Sequence, residues 1–272
     1  MPWNLAIAVP IPEIIPTIRD LPQTNRRRAL DAILNLIYPE GCLLCGAPVW
    51  RSRDCSVCEA CWQRILGLRI TPPWCPSCGM PYQQSVGTDT HLCGDCILRP
   101  PDFAGARSFG LYTAEMRGVI QALKFHGRRN LALLLAPLMA LTCAETWRPG
   151  EIHMIVPIPL HPRRQRVRGY NQAALLGKQV GKILGVPCGV RTLARVRHTS
   201  PQVGLSTHAR LANLRHAFHC PLPVSVNGLS LLLVDDVMTT GATAGSAARA
   251  LRQAGAARVS VLTAARTLTR SE

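Results

Sequence analysis

Apolar positions along the C-terminal part of the chain follow two alternating periods. Met116, Val119, Ile120 and Leu123 share one face of a helix predicted over residues 114–124. Residues 131–144 are apolar on every side, which predicts a buried helix. Residues 171–184 predict a third helix, closed by Gly185, and residues 243–254 a fourth, closed by Gly255. Short apolar runs at 106–112, 152–160, 231–234 and 259–262 predict strands, the second cut short by Pro157 and Pro159. Strand and helix in alternation predict an α/β domain with a mostly parallel sheet over residues 101–272.

Upstream the pattern changes. Residues 1–24 are apolar and proline-rich without a clear period. Leu30, Ile33, Leu34 and Ile37 then share a helical face, with Asn25 as N-cap, so residues 1–40 read as a leader with one amphipathic helix. Residues 41–100 are polar and turn-rich, too poor in apolar side chains to own much core, and Pro100 and Pro101 mark a linker.

Eight of the twelve cysteines fall in this middle segment as four C-x-x-C pairs. Cys42, Cys45, Cys58 and Cys61 form one set; Cys75, Cys78, Cys93 and Cys96 form the other. A C-x-x-C turn supplies two corners of a tetrahedron around Zn²⁺, with Zn–S bonds of about 2.3 Å. The expectation is two structural zinc ions in a small double ribbon, each pair carried back to its partner by a short β-hairpin. Metal would then hold together a segment with little core. Trp74-Cys75-Pro76-Ser77-Cys78 also looks like a thioredoxin-type redox site, but it lacks a preceding apolar strand and has a partner pair nearby. Cys55 offers an alternative pairing with Cys58. Cys143 and Cys188 sit in apolar surroundings and read as core.

Charge narrows the function. The formal net charge is +16, from 28 Arg and only three Lys against 15 acids. Two Cys₄ zinc sites, each carrying −2, would bring it to about +12. Arginine presents a planar fork suited to phosphate oxygens. Between Glu151 and Asp235 there is no acidic residue, while eleven Lys or Arg occur, four of them at Arg163, Arg164, Arg166 and Arg168. Such a field calls for an anionic counterpart, pyrophosphate or a polyanion such as single-stranded nucleic acid. No apolar run is long enough for a membrane span. The first 18 residues carry no positive charge, unlike a signal peptide, so a cytoplasmic protein is expected.

The run Leu231-Leu-Leu-Val-Asp235-Asp236-Val-Met-Thr239-Thr240-Gly241-Ala242-Thr243 places two carboxylates and a small hydroxyl-rich loop between an apolar strand and a helix. Helix N-terminal N–H groups and threonine hydroxyls make an anion cradle there. The carboxylates suit ribose hydroxyls, or a Mg²⁺ carried by pyrophosphate.

This run resembles the phosphoribosyl pyrophosphate (PRPP) motif of type I phosphoribosyltransferases. Ile155-Val-Pro-Ile-Pro-Leu-His-Pro162, Arg168-Gly-Tyr-Asn-Gln172, Leu123-Lys124-Phe125-His-Gly127 and Leu193-Ala-Arg195 resemble the signatures of the ComF family, as do Gln202, Leu205, Arg210, Asn213 and Ala217-Phe218. The resemblance implies a type I phosphoribosyltransferase-like domain behind a double zinc ribbon, and a role in bringing transforming single-stranded DNA into the cytosol. It implies that Asp235 and Asp236 hold ribose hydroxyls and that Thr239, Thr240, Gly241, Ala242 and Thr243 hold the 5′-phosphate. Lys124 and the four arginines would meet pyrophosphate or nucleic acid. Three functions stay open: a PRPP- and DNA-binding uptake accessory, a phosphoribosyltransferase for an unidentified acceptor, and a zinc-ribbon adaptor for a helicase or channel partner. No nucleobase site or general base stands out.

Overall fold

The computed structural model describes residues 41–49, 57–82, 91–196, 217–221 and 225–268. The leader with its expected helix, Cys55, Gln202, Leu205, Arg210 and Asn213 lie outside the described residues. The elements in chain order are α1 (Glu59–Gly67), α2 (Gly94–Leu98), β1 (Gly105–Leu111), α3 (Ala114–Phe125), α4 (Leu131–Thr146), β2 (Met154–Pro157) and α5 (Pro162–Arg168). They continue with α6 (Gln172–Leu184), β3 (Ala194–Arg195), β4 (Phe218–His219), β5 (Ser230–Met238), α7 (Ala242–Gln253) and β6 (Arg258–Arg266).

Four strands form a parallel sheet in the order β1-β6-β5-β2, as the alternation of periods predicts. Successive side chains of a strand point to opposite faces. Leu232 and Val234 of β5 accordingly join one core with α3, α4 and α6. Leu231 and Leu233 join the other, with Ala244, Ala247 and Leu251 of α7 and with Phe218 of β4. Helix α4 has no polar face because it lies in the first of these cores. Helix α6 is capped by Asn171, whose side chain accepts from the Ala173 N–H at 3.0 Å, and ends at Gly185 in the left-handed region.

β1 is the edge of the sheet, and the cysteine-rich segment covers it. Ile70 donates to the Phe109 carbonyl at 2.8 Å, Leu111 to that of Leu68 at 2.9 Å, and Ala106 to that of Ser77 at 2.8 Å. The exposed backbone of an edge strand is thereby satisfied. This segment holds more core than its composition suggests, because it shares the core of the sheet. Cys42, Val57, Cys61, Trp62 and Ile65 are buried together with α3 and α4. Gly118 on α3 permits the approach: a Cβ there would lie 2.4 Å from Leu44 Cδ2.

The second pair of each cysteine set opens a helix, with Cys58 as N-cap of α1 and Cys93 as N-cap of α2; residues 50–56 and 83–90, where most of each expected hairpin falls, lie outside the described residues. The arginine run is helical: His161 accepts from the Arg163 N–H at 3.3 Å, Pro162 opens the first turn, and α5 follows. β5 continues to Met238, so both aspartates lie within the strand, held in register by pairs such as Asp235↔Thr263 and Met238↔Arg266.

Candidate functional site

The sulfurs of Cys42, Cys45, Cys58 and Cys61 lie within 4.8 Å of one another, and so do those of Cys75, Cys78, Cys93 and Cys96. Cys45 and Cys58 are 3.6 Å apart, as are Cys78 and Cys93. A tetrahedron of four sulfurs around zinc has edges of about 3.8 Å, so both clusters fit a metal ion. Backbone N–H groups add to the fit. Cys58 donates to Cys42 Sγ at 3.3 Å, and Cys93 to Cys75 Sγ at 3.4 Å. Burial alone would raise the Cys42 thiol, but N–H bonds from Cys58, Leu44 and Cys45 outweigh it and bring it down to about 6. Cys75 is brought to about 7 against the same burial, by N–H bonds from Cys78, Cys93 and Ser77. Each cluster therefore begins with one thiol ready to ionise. Among the described residues these are the two groups of metal-ligating side chains, and Cys143 is buried apart from both.

Two arginines approach these sulfurs, Arg64 to Cys61 at 2.9 Å and Arg266 to Cys78 at 3.7 Å. Nothing in the sequence pattern signals either contact. Arg266 lies 188 residues from Cys78, and no spacing signal joins them.

The second candidate site is the carboxyl end of β5. Asp236 points into the α3 side of the sheet, where its Oδ1 pairs with Lys124 Nζ at 2.7 Å. Its Oδ2 is buried without a hydrogen-bond partner among the described residues. Asp235 faces the opposite side and is half-buried. Desolvation, then the charge of Asp236, push its carboxyl up to about 7, against the pull of Lys124, the Asp236 N–H and Arg195. Arg195 of β3 stacks on Phe218, its guanidinium 5.4 Å from the ring centre, and burial, then the charge of Arg164, pull its pKa below the ordinary arginine value against the attraction of Asp235. Thr239 and Thr240 are exposed, and Gly241, at φ 77°, caps α7. A Cβ on Gly241 would lie 2.8 Å from Met238 Cε, so this loop needs glycine. Thr240 Oγ1 accepts from the Ala242 N–H at 3.4 Å. The remaining N–H groups of the first turn of α7, Thr243 included, face this loop.

The structure brings Lys124 directly onto this end of the sheet. Of the α5 arginines, Arg164 influences Arg195 electrostatically, whereas Arg168 donates to Gln172 Oε1 at 2.6 Å and lies over Phe125. Arg163 and Arg166 are exposed.

Comparison with known proteins gives this arrangement a family. Residues 33–97 match the double zinc ribbon domain. DNA utilization protein YhgH of Salmonella typhi is 36% identical over 238 residues, which is 86% of this chain and 100% of that protein. Competence protein F of Haemophilus influenzae is 32% identical over 81% of this chain and 94% of its own length. Competence protein ComFC of Bacillus subtilis is 29% identical over 79% and 90%. Among solved structures, the glutamine PRPP amidotransferase of B. subtilis, complexed with ADP and GMP, is 18% identical with a TM-score of 0.32. The match covers 65% of this chain but only about a third of that enzyme, 32% of its length. The cysteine clusters have the ligands of a double zinc ribbon, and no described helix is long and apolar enough to cross a membrane. With an α/β unit behind its ribbon and relatives matched over nearly their whole length, the chain belongs to the ComF family of competence and DNA utilization proteins.

Proposed function

We propose that this chain binds PRPP or a related phosphoribosyl compound at the carboxyl end of β5 and single-stranded DNA along α5, and that it assists DNA uptake in the cytoplasm. The observation that carries the reading is the buried Asp236, with one oxygen on Lys124 and the other unpartnered, directly before an exposed threonine loop and the start of α7. Threonine hydroxyls and first-turn N–H groups would receive the 5′-phosphate, and Asp235 with the free oxygen of Asp236 would receive ribose hydroxyls or a Mg²⁺ brought with pyrophosphate. Lys124, Arg164 and Arg195 supply positive charge at the same end. The names of the relatives support the uptake role.

Calorimetry with PRPP and Mg²⁺ tests the reading. Asp235→Asn with Asp236→Asn should remove roughly 3 kcal/mol or more of binding free energy. Equal affinity in wild type and double variant would place the ligand elsewhere.

One observation favours a second reading, phosphoribosyl transfer to an acceptor. A carboxyl raised to about 7, as at Asp235, is matched to accept a proton near neutral pH. Pyrophosphate release from PRPP across a panel of amine and nucleobase acceptors would separate transfer from binding.

A further inference from the structure

Of the four phenylalanines, Phe103, Phe109 and Phe218 are each 5% exposed or less, whereas Phe125 is 67% exposed. It ends α3, one residue beyond the Lys124 that holds Asp236. Solvent exposure of a large ring beside a charged site has no folding benefit, and the surroundings hold this ring in place. The Arg168 guanidinium lies over it, 5.0 Å from the ring centre, and is itself oriented by Gln172 Oε1 at 2.6 Å. Tyr170 donates to the carbonyl of Leu123, and Arg129 stacks on Tyr170 at 4.7 Å. Residues 123–129 and 168–172 are thus tied together by two cation–π pairs and one hydrogen bond around an exposed aromatic ring.

We infer that Phe125 and Arg168 form a stacking platform for a nucleobase, whose phosphates would lie towards Lys124 and the β5 loop. An aromatic ring and a guanidinium plane are the two surfaces on which bases stack, and such stacking tolerates any sequence. No acidic residue occurs between Glu115 and Glu145, and Lys124, His126, Arg128 and Arg129 adjoin the ring in sequence, which favours a ligand carrying phosphate. The inference rests on the reading of the β5 end as a ligand site. The nucleobase could belong to a single strand or to a free nucleotide.

Two matched pairs of probes decide it, using the full chain: a dT₁₂ oligonucleotide against an abasic strand of equal length, by fluorescence anisotropy, and AMP against ribose 5-phosphate, by calorimetry. The probe with a base should bind at least about fivefold tighter in one or both pairs. Preference within the strand pair alone assigns a strand, and preference within the nucleotide pair alone assigns a free nucleotide. Phe125→Leu, which keeps apolar bulk without a π-face at an exposed position, should abolish the preference, and Phe125→Trp should keep it. Equal binding within both pairs, or a preference that survives Phe125→Leu, overturns the inference. Asp235→Asn with Asp236→Asn should weaken ribose 5-phosphate and leave the strand preference intact, so failure of the sugar-phosphate reading shows separately.

Discussion

Arg266 of β6 donates to the carbonyl oxygen of Cys78 at 2.6 Å, and its second terminal nitrogen lies 3.7 Å from Cys78 Sγ. The same guanidinium lies 3.3 Å from Met238 Sδ, at the end of β5 where the threonine loop begins. At 3% exposure, Arg266 has no solvent to balance its charge. Four thiolates around Zn²⁺, net −2, would supply the balance. Chelation should therefore leave a buried, uncompensated guanidinium. Urea unfolding with and without chelator should show a loss larger in wild type than in Arg266→Leu, by about 1–3 kcal/mol. Equal chelator effects would mean that the metal does not sense Arg266.

Metal content follows from the sulfur geometry. Elemental analysis of protein purified under reducing conditions should find about two zinc ions per chain. Cys78→Ser should remove one, and Cys143→Ser, buried away from both clusters, should remove none.

Lys124→Met tests the ion pair at the β5 end. It leaves Asp236, 4% exposed in its side chain, as a buried carboxylate without its cation, at a cost of about 3 kcal/mol of stability. Adding Asp236→Asn should recover much of that loss. Additive effects in the double-mutant cycle would show that the pair does not couple.

Asp235 gives a pH dependence of definite sign. Its folded carboxyl titrates near 7 against an ordinary 3.8, so between these values the folded state keeps a proton that the unfolded chain has lost. The contribution of this group to stability is full below about 4, falls as pH rises, and is lost above about 7, with a slope of at most about 1.4 kcal/mol per pH unit. Asp235→Asn should be less sensitive to pH over that window. Parallel curves of urea midpoint against pH for the two proteins would rule this out.

The arginines of α5 predict a salt effect. If Arg163, Arg164 and Arg166 each meet one phosphate of a single strand, changing all three to Gln should flatten the log–log dependence of affinity on salt by about 2. The loss should be uniform across oligonucleotide sequences, because backbone contacts carry no base information. An unchanged slope in anisotropy titrations would leave α5 to the small ligand.

The sequence by itself determined the two sets of four cysteines and the α/β class with its parallel sheet. Eight cysteines in C-x-x-C pairs state their chemistry locally, since the two thiolates of a turn are only three residues apart. The periods around Met116, Leu131 and Leu231 likewise announce which residues seek a core, and the parallel sheet follows from their alternation. What only the tertiary structure decided is which distant groups meet. Polar composition hid the core of the ribbon, because Trp62 and Ile65 complete their burial against α3 and α4 and share the core of the sheet. Adjacent in sequence, Asp235 and Asp236 are separated by the pleat, which sends one towards Arg195 and the other onto Lys124. Arg266 on Cys78 and Arg168 on Phe125 have no period or spacing to betray them. Side-chain charges far apart along the chain are brought together only when the sheet closes, and their energies depend on the burial that closing creates.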